Sequence, residues 1–165
     1  MSSKEWVQPT KYVMRIEEEI KQYKFRNIHQ KVMINLFYTY NALSTKMQDM
    51  LRDEKLTMQQ FNILRILRGQ YPEPVTNSML KDRMLDKNSD VTRILDRMIR
   101  DGLAKRANCE SDRRRVDITI TEKGLESLKR IDARNQEMDD IAAGLSSDEA
   151  QILNDMLDKL RAGTK

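Results

Sequence analysis

The stretch NSDVTRILDRMIRDGLAKRANCESDRRRVDITITEKG (88–124) decides the fold of this chain. Its first part predicts an amphipathic helix, because apolar residues recur at steps of three and four: Val91, Ile94, Leu95, Met98 and Ile99. Asn88 or Ser89 is expected to cap the start of this helix through a short side-chain oxygen. Gly102 is expected to end it, since glycine enters the left-handed region without strain.

Two short strands are predicted after this helix. The first covers 103–106, and the second covers 116–120, where apolar and polar residues alternate. The loop between them, 107–115, is polar and ends in three consecutive arginines. A helix followed by a hairpin with a basic tip is the outline of a winged helix-turn-helix.

Positive charge is concentrated on this part of the chain. Between positions 81 and 115 there are 11 Lys and Arg against 7 Asp and Glu, a net charge of +4. The whole chain also carries +4, so the other residues are neutral in sum. Because phosphates supply most of the attraction for a nucleic-acid-binding protein, this placement favours DNA as the partner. A solvated face is the alternative interpretation of Arg113 to Arg115.

Four segments in this order resemble the MarR-type transcriptional regulators. They are the helix LTMQQFNILRIL (56–67), the helix at 88–106, the wing SDRRRVDITITEKG (111–124) and a C-terminal amphipathic helix. The wing's Asp-Arg-Arg, followed by a strand and Thr-Glu-Lys-Gly (121–124), is the most specific of these pieces. The resemblance implies a mainly α fold: a winged helix-turn-helix with a small β-hairpin wing, whose N- and C-terminal helices form a dimerisation region.

The domain organisation follows from this resemblance and from the length of 165 residues. We expect an N-terminal arm and the long dimerisation helix in 1–52, the winged helix-turn-helix domain in 53–120, and C-terminal dimerisation helices in 121–165. Apolar residues make up 39% of the chain and aromatic residues 5%, which is lean for a self-sufficient core. Helices that share a core with a second copy would ease this shortage.

Two helices are predicted ahead of the winged domain. The spacing of apolar residues indicates a first helix over 12–23 and a long helix over about 27–52. The apolar stripe of the long helix is too long for a small winged domain to cover. Packing against a partner subunit is therefore expected, with packing wholly inside its own chain as the alternative.

Capping patterns place the other helices. Two capping boxes mark helix starts: Thr57 with Gln60, and Ser146 with Glu149. Gly69 and the turn-rich QYPEP (70–74) are expected to end the first of these helices. Its core-facing residues are expected to be Phe61, Leu64 and Leu67.

Three further local features complete the predicted outline. Asn77 or Ser78 is expected to cap the short helix that precedes the recognition helix. Thr121 is expected to cap a helix that continues to about position 143. The resemblance implies a short third strand beginning at Val75.

Contacts with DNA follow from the helix-turn-helix outline. Side chains on the early turns of a recognition helix reach base edges in the major groove, and here these are Ser89, Asp90, Thr92 and Arg93. Four other positions suit phosphates, which orient the protein without specifying sequence: Asn77, Ser78, Lys81 and Arg97.

The wing contributes contacts that the resemblance implies. Asp112 matches the carboxylate that braces the family's wing loop, and Arg114 matches the arginine that enters the minor groove. Arg115 departs from the family pattern by adding a positive charge. Arg113 or Arg115 could share or replace the role of Arg114.

The resemblance also implies release of DNA by a small aromatic or anionic effector. Its pocket would lie between the DNA-binding domain and the dimerisation helices. The candidate lining residues are Tyr38, Tyr40, Met47 and Phe61. Aromatic and methionine side chains at helical spacing are also typical of a plain core.

Catalysis, metal binding and cofactor binding are not expected. The lone His29 has no convergent partner, and HExxH, GxSxG, P-loop and GxGxxG motifs are absent from the sequence. Asp139 and Asp140 are paired carboxylates at a polar helix end, where a solvated face is expected. The sequence holds no run of about 18 apolar residues, so no membrane span is expected. The single cysteine fits a reducing cytoplasm.

These observations predict a homodimeric transcriptional regulator, a ligand-responsive repressor that binds a pseudo-palindromic operator in double-stranded DNA. Two alternatives stay open. Cys109 could make the protein a redox-sensing regulator, because a basic neighbourhood favours a reactive thiolate. A non-enzymatic winged-helix adaptor that binds protein is the other.

Overall fold

Eight helices and three short strands follow one another along the chain of this computed structural model, which describes residues 14–108, 116–141 and 143–164. The described chain divides between Ala42 and Leu43 into two compact units. The elements are α1 (Ile16–Glu19), α2 (Ile28–Leu51), α3 (Met58–Gln70), β1 (Val75–Thr76), α4 (Asn77–Arg83), α5 (Val91–Arg100), β2 (Ala104–Asn108), β3 (Val116–Ile120), α6 (Glu122–Asp132), α7 (Asn135–Asp140) and α8 (Ser147–Ala162).

The first unit contains the short helix α1 and the beginning of α2. An ion pair joins Glu17 to Lys31, and the Tyr38 hydroxyl donates a hydrogen bond of 2.8 Å to Glu19. The predicted first helix over 12–23 is wrong in extent. The backbone of Lys21 turns left-handed, with φ at 53°, so the helix cannot continue through it.

The long helix is confirmed almost to the residue, since α2 runs from Ile28 to Leu51. Only Met50 and Leu51 of this helix are buried. Most of its large apolar side chains are exposed, and Ile28 is 64% accessible. Other exposed members of the set are Val32, Met33, Phe37, Tyr40 and Leu43.

The core of the second unit lies between α3, α5, the sheet and α6. The three predicted core positions of α3 are confirmed: Phe61, Leu64 and Leu67 are buried. Leu95 of α5 and Leu128 of α6 are fully inaccessible. Burying one such side chain contributes roughly 1.5–3 kcal/mol. This core fixes α5 on one side and leaves its other side in solvent.

The sheet is antiparallel, with strand order β1–β3–β2. Val75 pairs with Ile118, and Ala104 pairs with Ile120, so the third strand and the hairpin are both confirmed. The first hairpin strand begins one residue later than predicted and extends to position 108. Its ladder to β3 continues up to the wing loop.

Two glycines are required by this corner of the fold. Gly102 ends the turn after α5 with φ at 73°, as predicted. A Cβ on Gly124 would lie 2.4 Å from the Leu103 carbonyl oxygen, a clash with fixed backbone. The start of α6 therefore packs directly on the start of β2.

The helix caps are partly as predicted. Thr57, Thr121 and Ser146 cap their helices, and both capping boxes form. Asp90, not Asn88 or Ser89, caps α5. Thr76, not Asn77 or Ser78, caps α4. The helix α3 continues past Gly69 and ends at Gln70, within the predicted QYPEP turn (70–74).

The predicted single helix from Thr121 to about 143 is wrong, because it is divided into α6 and α7. The division falls next to Arg134, whose side chain contacts three acceptors. It donates a hydrogen bond of 3.2 Å to the Met50 carbonyl oxygen and one of 3.1 Å to the Asp53 carboxylate. It also forms an ion pair with Glu137. The two long-range contacts, to Met50 and Asp53, hold the chain where the helix is interrupted.

The last helix, α8, has no buried residue. Its apolar stripe is exposed to solvent, with Met156 at 63% accessibility. The remaining exposed members are Ile152, Leu153 and Leu160. Among the described helices, none is both long enough and apolar enough to cross a membrane.

Candidate nucleic-acid interface

Helices α4 and α5, joined by residues 84–90, form a helix-turn-helix. The side facing the core is apolar: Leu80, Met84, Val91, Leu95 and Met98 are all buried. The opposite side of α5 carries exposed polar and charged residues: Thr92, Arg93, Asp96, Arg97 and Arg100. This division makes α5 a helix with a fixed inner face and a free, basic outer face.

The two central arginines of that outer face are uncommitted. Within the described residues, neither Arg93 nor Arg97 pairs with a carboxylate. Their obvious acidic neighbours are engaged elsewhere. The Asp90 carboxylate accepts the Arg93 backbone N–H at 3.1 Å, and Asp96 pairs with Arg106 at 3.0 Å. Both guanidinium groups are therefore available to an external acceptor.

The start of α5 is built by a small network around Asp86. This carboxylate accepts the Asn88 backbone N–H at 3.0 Å and the Ser89 hydroxyl at 2.9 Å. Hydrogen bonds from the Asn88 backbone and the Ser89 side chain, with one from Gln59, hold the pKa of Asp86 below its ordinary value. Ser89 and Asp90, both predicted to face DNA bases, also have structural roles at the helix start.

The predicted phosphate-contacting positions of α4 border the same face. The Asn77 side-chain amide donates to the Thr92 hydroxyl oxygen at 3.2 Å, which ties α4 to α5. Because this oxygen accepts, the Thr92 hydroxyl keeps its own hydrogen as a donor. Ser78 and Lys81 are exposed on α4. The structure thus brings these predicted residues together on one side of the helix-turn-helix.

A cleft of about 470 Å³ separates the start of α4 from the base of the hairpin. Leu95 and Ile118 are among its apolar lining residues, while Asn77, Ser78 and Arg106 are polar ones. The ion pair between Arg106 and Asp96 joins the middle of β2 to α5. This contact places β2 beside the outer face of the recognition helix at Asp96.

The tip of the hairpin lies outside the described residues. This applies to Asp112 and to the arginines at 113–115, whose DNA contacts stay predictions, and to Cys109. The two strands that lead to the tip are described and paired up to positions 108 and 116.

The four candidate effector residues have different surroundings. The Tyr38 hydroxyl donates to Glu19, and this hydrogen bond raises the pKa of Tyr38. Tyr40 is exposed, whereas Met47 packs against the core of the second unit. Phe61 is buried under the guanidinium of Arg65, 5.7 Å from its ring centre. An effector site at these residues stays a prediction.

Two residues of the site were not found from the sequence. Asp86 lies three positions before Ser89, a spacing that allows a carboxylate to accept from the turn that follows. Arg106 lies two positions after Ala104 on β2, so alternation places both on the same face of the strand. The described residues hold no group of three or more His, Cys, Asp or Glu that could bind a metal ion.

A helix-turn-helix with a basic outer face and an adjoining hairpin defines a winged helix-turn-helix protein. Comparison with known proteins shows which family this part of the chain resembles. Residues 56–116 match the model of the MarR family, so over this stretch the chain is similar to MarR-type winged helix-turn-helix proteins.

A curated relative shows the same likeness. The HTH-type transcriptional regulator PecS of Dickeya dadantii (strain 3937) is 31% identical over 108 residues. The match covers 64% of this chain and 65% of PecS, so the chain spans somewhat less than two thirds of that relative.

Solved structures share the fold. A mutant MarR from E. coli, complexed with operator DNA, has a TM-score of 0.72 at 20% identity, covering 84% of this chain and 99% of that one. BpsR of Bordetella bronchiseptica has a TM-score of 0.69 at 23% identity, and the match covers 79% of this chain and 98% of BpsR. At these identities the likeness shows the fold alone.

Proposed function

We propose that the protein is a sequence-specific regulator of transcription that binds double-stranded DNA as a homodimer. The observation that carries this proposal is the outer face of α5, where Arg93 and Arg97 are exposed and make no ion pair within the described residues. An uncommitted guanidinium on a recognition helix is suited to guanine and to phosphate. The relation to PecS, a transcriptional regulator, supports the same function.

Base recognition is assigned to the first turns of α5. Arg93 can donate two hydrogen bonds to O6 and N7 of guanine, and the Thr92 hydroxyl can donate to a base acceptor. Ser89 and Asp90 stand beside them at the helix start. Arg97 lies one turn later and is assigned to a phosphate.

Phosphate contacts at the edge of the interface are assigned to α4 and the wing. Asn77, Ser78 and Lys81 lie at the start and the middle of α4, beside α5. In the wing, Asp112 is proposed to brace the loop and Arg114 to enter the minor groove, with Arg113 or Arg115 able to share that role.

The homodimer is supported by two exposed apolar faces. Ile28, Val32 and Leu43 are exposed on one side of α2, and Ile152 and Met156 are exposed on α8. Contiguous apolar surface of this kind marks an interaction site in a soluble protein. A second copy of the chain is the proposed occupant, because symmetric DNA operators are bound by symmetric dimers.

Repression relieved by a small molecule is the proposed form of regulation. The comparison protein BpsR has its DNA binding regulated by 6-hydroxynicotinic acid, an aromatic acid. We propose an effector of similar chemistry here, with Tyr38, Tyr40, Met47 and Phe61 as candidate contacts. A regulator of this kind acts on the genome, and on that basis we place it in the cytoplasm.

The proposal is tested by selecting bound duplexes from a random pool with the full-length protein. We expect enrichment of inverted repeats whose half-site centres lie about 10–10.5 base pairs apart. Affinity for the enriched duplex should fall as salt concentration rises. Failure to enrich any duplex would overturn the proposal, and tight protein binding independent of salt would favour the adaptor alternative.

A further inference from the structure

The segment between α4 and α5 is held by hydrogen bonds from outside the two helices. Its first contact is with α3, where the Asn62 side-chain oxygen accepts the Leu85 backbone N–H at 2.9 Å. The next residue is Asp86, whose carboxylate lies near the Gln59 side chain of the same helix. The segment is thus attached to α3 at Leu85, directly before Asp86.

The same carboxylate also organises the residues that follow it. Asp86 accepts the Asn88 backbone N–H at 3.0 Å and the Ser89 hydroxyl at 2.9 Å, and its carbonyl oxygen accepts the Ser89 N–H at 3.3 Å. Asp90, the cap of α5, follows immediately. Asp86 therefore lies between Leu85, which α3 holds, and the residues that begin the recognition helix, which its carboxylate holds.

We propose that Asp86 is a positioning residue for DNA recognition, which sets the place of Ser89 and of the first turn of α5 against α3. This inference rests on the proposed function and deepens it, because it assigns specificity to a residue that need not touch a base. Asp86 acts through Ser89, Asp90 and the side chains of the next turn, Thr92 and Arg93.

Because Asp86 is negatively charged, a positioning role and a purely electrostatic role predict different effects on DNA affinity when the carboxylate is removed. Asp86 is exposed and carries a negative charge on the helix-turn-helix that is to face DNA. A carboxylate there repels phosphates, so its removal should strengthen binding to any duplex. If Asp86 positions the recognition helix, its removal should instead weaken binding to the correct sequence. The two roles therefore predict changes of opposite sign in the affinity for that sequence.

The experiment compares the affinities of full-length variants for two duplexes at one salt concentration. One duplex is the sequence enriched by the wild-type protein, and the other is a scrambled duplex of the same composition. The variants are Asp86→Ala, Asp86→Asn and, as matched control, Asp82→Ala. Asp82 is an exposed aspartate of α4, so Asp82→Ala removes the same charge as Asp86→Ala. Its side chain makes no hydrogen bond within the described residues, so this control breaks no positioning contact.

The measured quantity is the ratio of the affinity for the enriched duplex to that for the scrambled duplex. We expect Asp86→Ala to lower this ratio about tenfold while affinity for the scrambled duplex is kept or raised. Asp86→Asn keeps one acceptor oxygen and should fall between Asp86→Ala and wild type. Asp82→Ala should leave the ratio unchanged.

Three results would overturn the inference. An unchanged ratio in Asp86→Ala, with or without a lower melting temperature, would leave Asp86 only a stabilising or solvated residue. An equal fall in Asp82→Ala would assign the effect to charge. If Asp86→Ala does not fold, an unchanged ratio in Asp86→Asn decides against the inference. Failure of the proposed function is recognised separately, since the wild-type protein would then show no preference between the duplexes.

Discussion

Helices α5 and α8 have the same kind of sequence pattern and opposite surroundings. In α5 the apolar stripe is buried, and Leu95 is fully inaccessible. In α8 the apolar stripe is exposed, and no residue of the helix is buried. An amphipathic pattern therefore predicts that a face will be covered, but it does not say by which chain.

The largest expected effect concerns the covered stripe. Leu95→Ala should destabilise the fold by about 2–5 kcal/mol, because a cavity is left in a tightly packed core. Thermal unfolding measures this loss. The matched change Leu153→Ala, on the exposed stripe of α8, should lower the stability of the chain's own core much less. If both variants lost the same stability while the molecular mass in solution stayed unchanged, the contrast between the buried stripe of α5 and the exposed stripe of α8 would be contradicted.

The second effect concerns the exposed stripe. If a second copy covers α8, light scattering at micromolar concentration should give about twice the chain mass of 19.5 kDa. Met156→Asp should shift the protein towards monomer, since placing a polar group in an apolar interface costs roughly 1–3 kcal/mol.

The control for this second prediction is Asn154→Asp, which adds the same charge to the polar face of α8. It should leave the mass unchanged. A wild-type mass near that of a single chain would contradict the proposed dimer, and α8 would then need another partner.

Much of the fold could be predicted because its signals are local. The apolar spacing that located α2 and α5, the alternation in β3 and the capping box of Thr57 all depend on neighbours in sequence. The cap of α5 could not be chosen from residue type alone, because Asn88, Ser89 and Asp90 are all suitable. The neighbouring Asp86 engages the Asn88 backbone N–H and the Ser89 hydroxyl, and Asp90 is left to cap the helix.

The division of the predicted C-terminal helix depends instead on distant residues. Arg134 contacts the Met50 carbonyl oxygen and Asp53, which lie about eighty positions earlier in the chain. No pattern within 121–143 reports such a contact. At the candidate interface, the exposed arginines of α5 were predicted from its periodicity, whereas Arg106 required knowledge of how the hairpin packs on α5.

The third prediction tests whether the outer face of α5 has separate base-reading and phosphate-binding parts. Arg93→Ala should lose discrimination at one symmetric pair of operator positions, worth about 1–3 kcal/mol against a wrong base. Arg97→Ala should lower affinity nearly evenly for all sequences, because a phosphate contact carries no base information. Binding to a set of single-base operator variants measures both. An unchanged base preference in Arg93→Ala would leave Ser89, Asp90 and Thr92 to carry specificity.

The smallest expected effect concerns the wing, where charge alone is at issue. Arg114→Ala should weaken binding to all duplexes and lower the slope of log affinity against log salt by about one unit, since one phosphate-proximal charge is lost. Asp112→Ala should act in the same direction by loosening the loop. Arg161→Ala is the matched control: it removes an arginine from α8, where an ion pair with Asp158 already engages it, and should leave the slope unchanged. If the Arg114 and Asp112 variants both kept wild-type affinity and slope, the wing would lie outside the interface, and the basic face of α5 would have to account for the salt dependence without it.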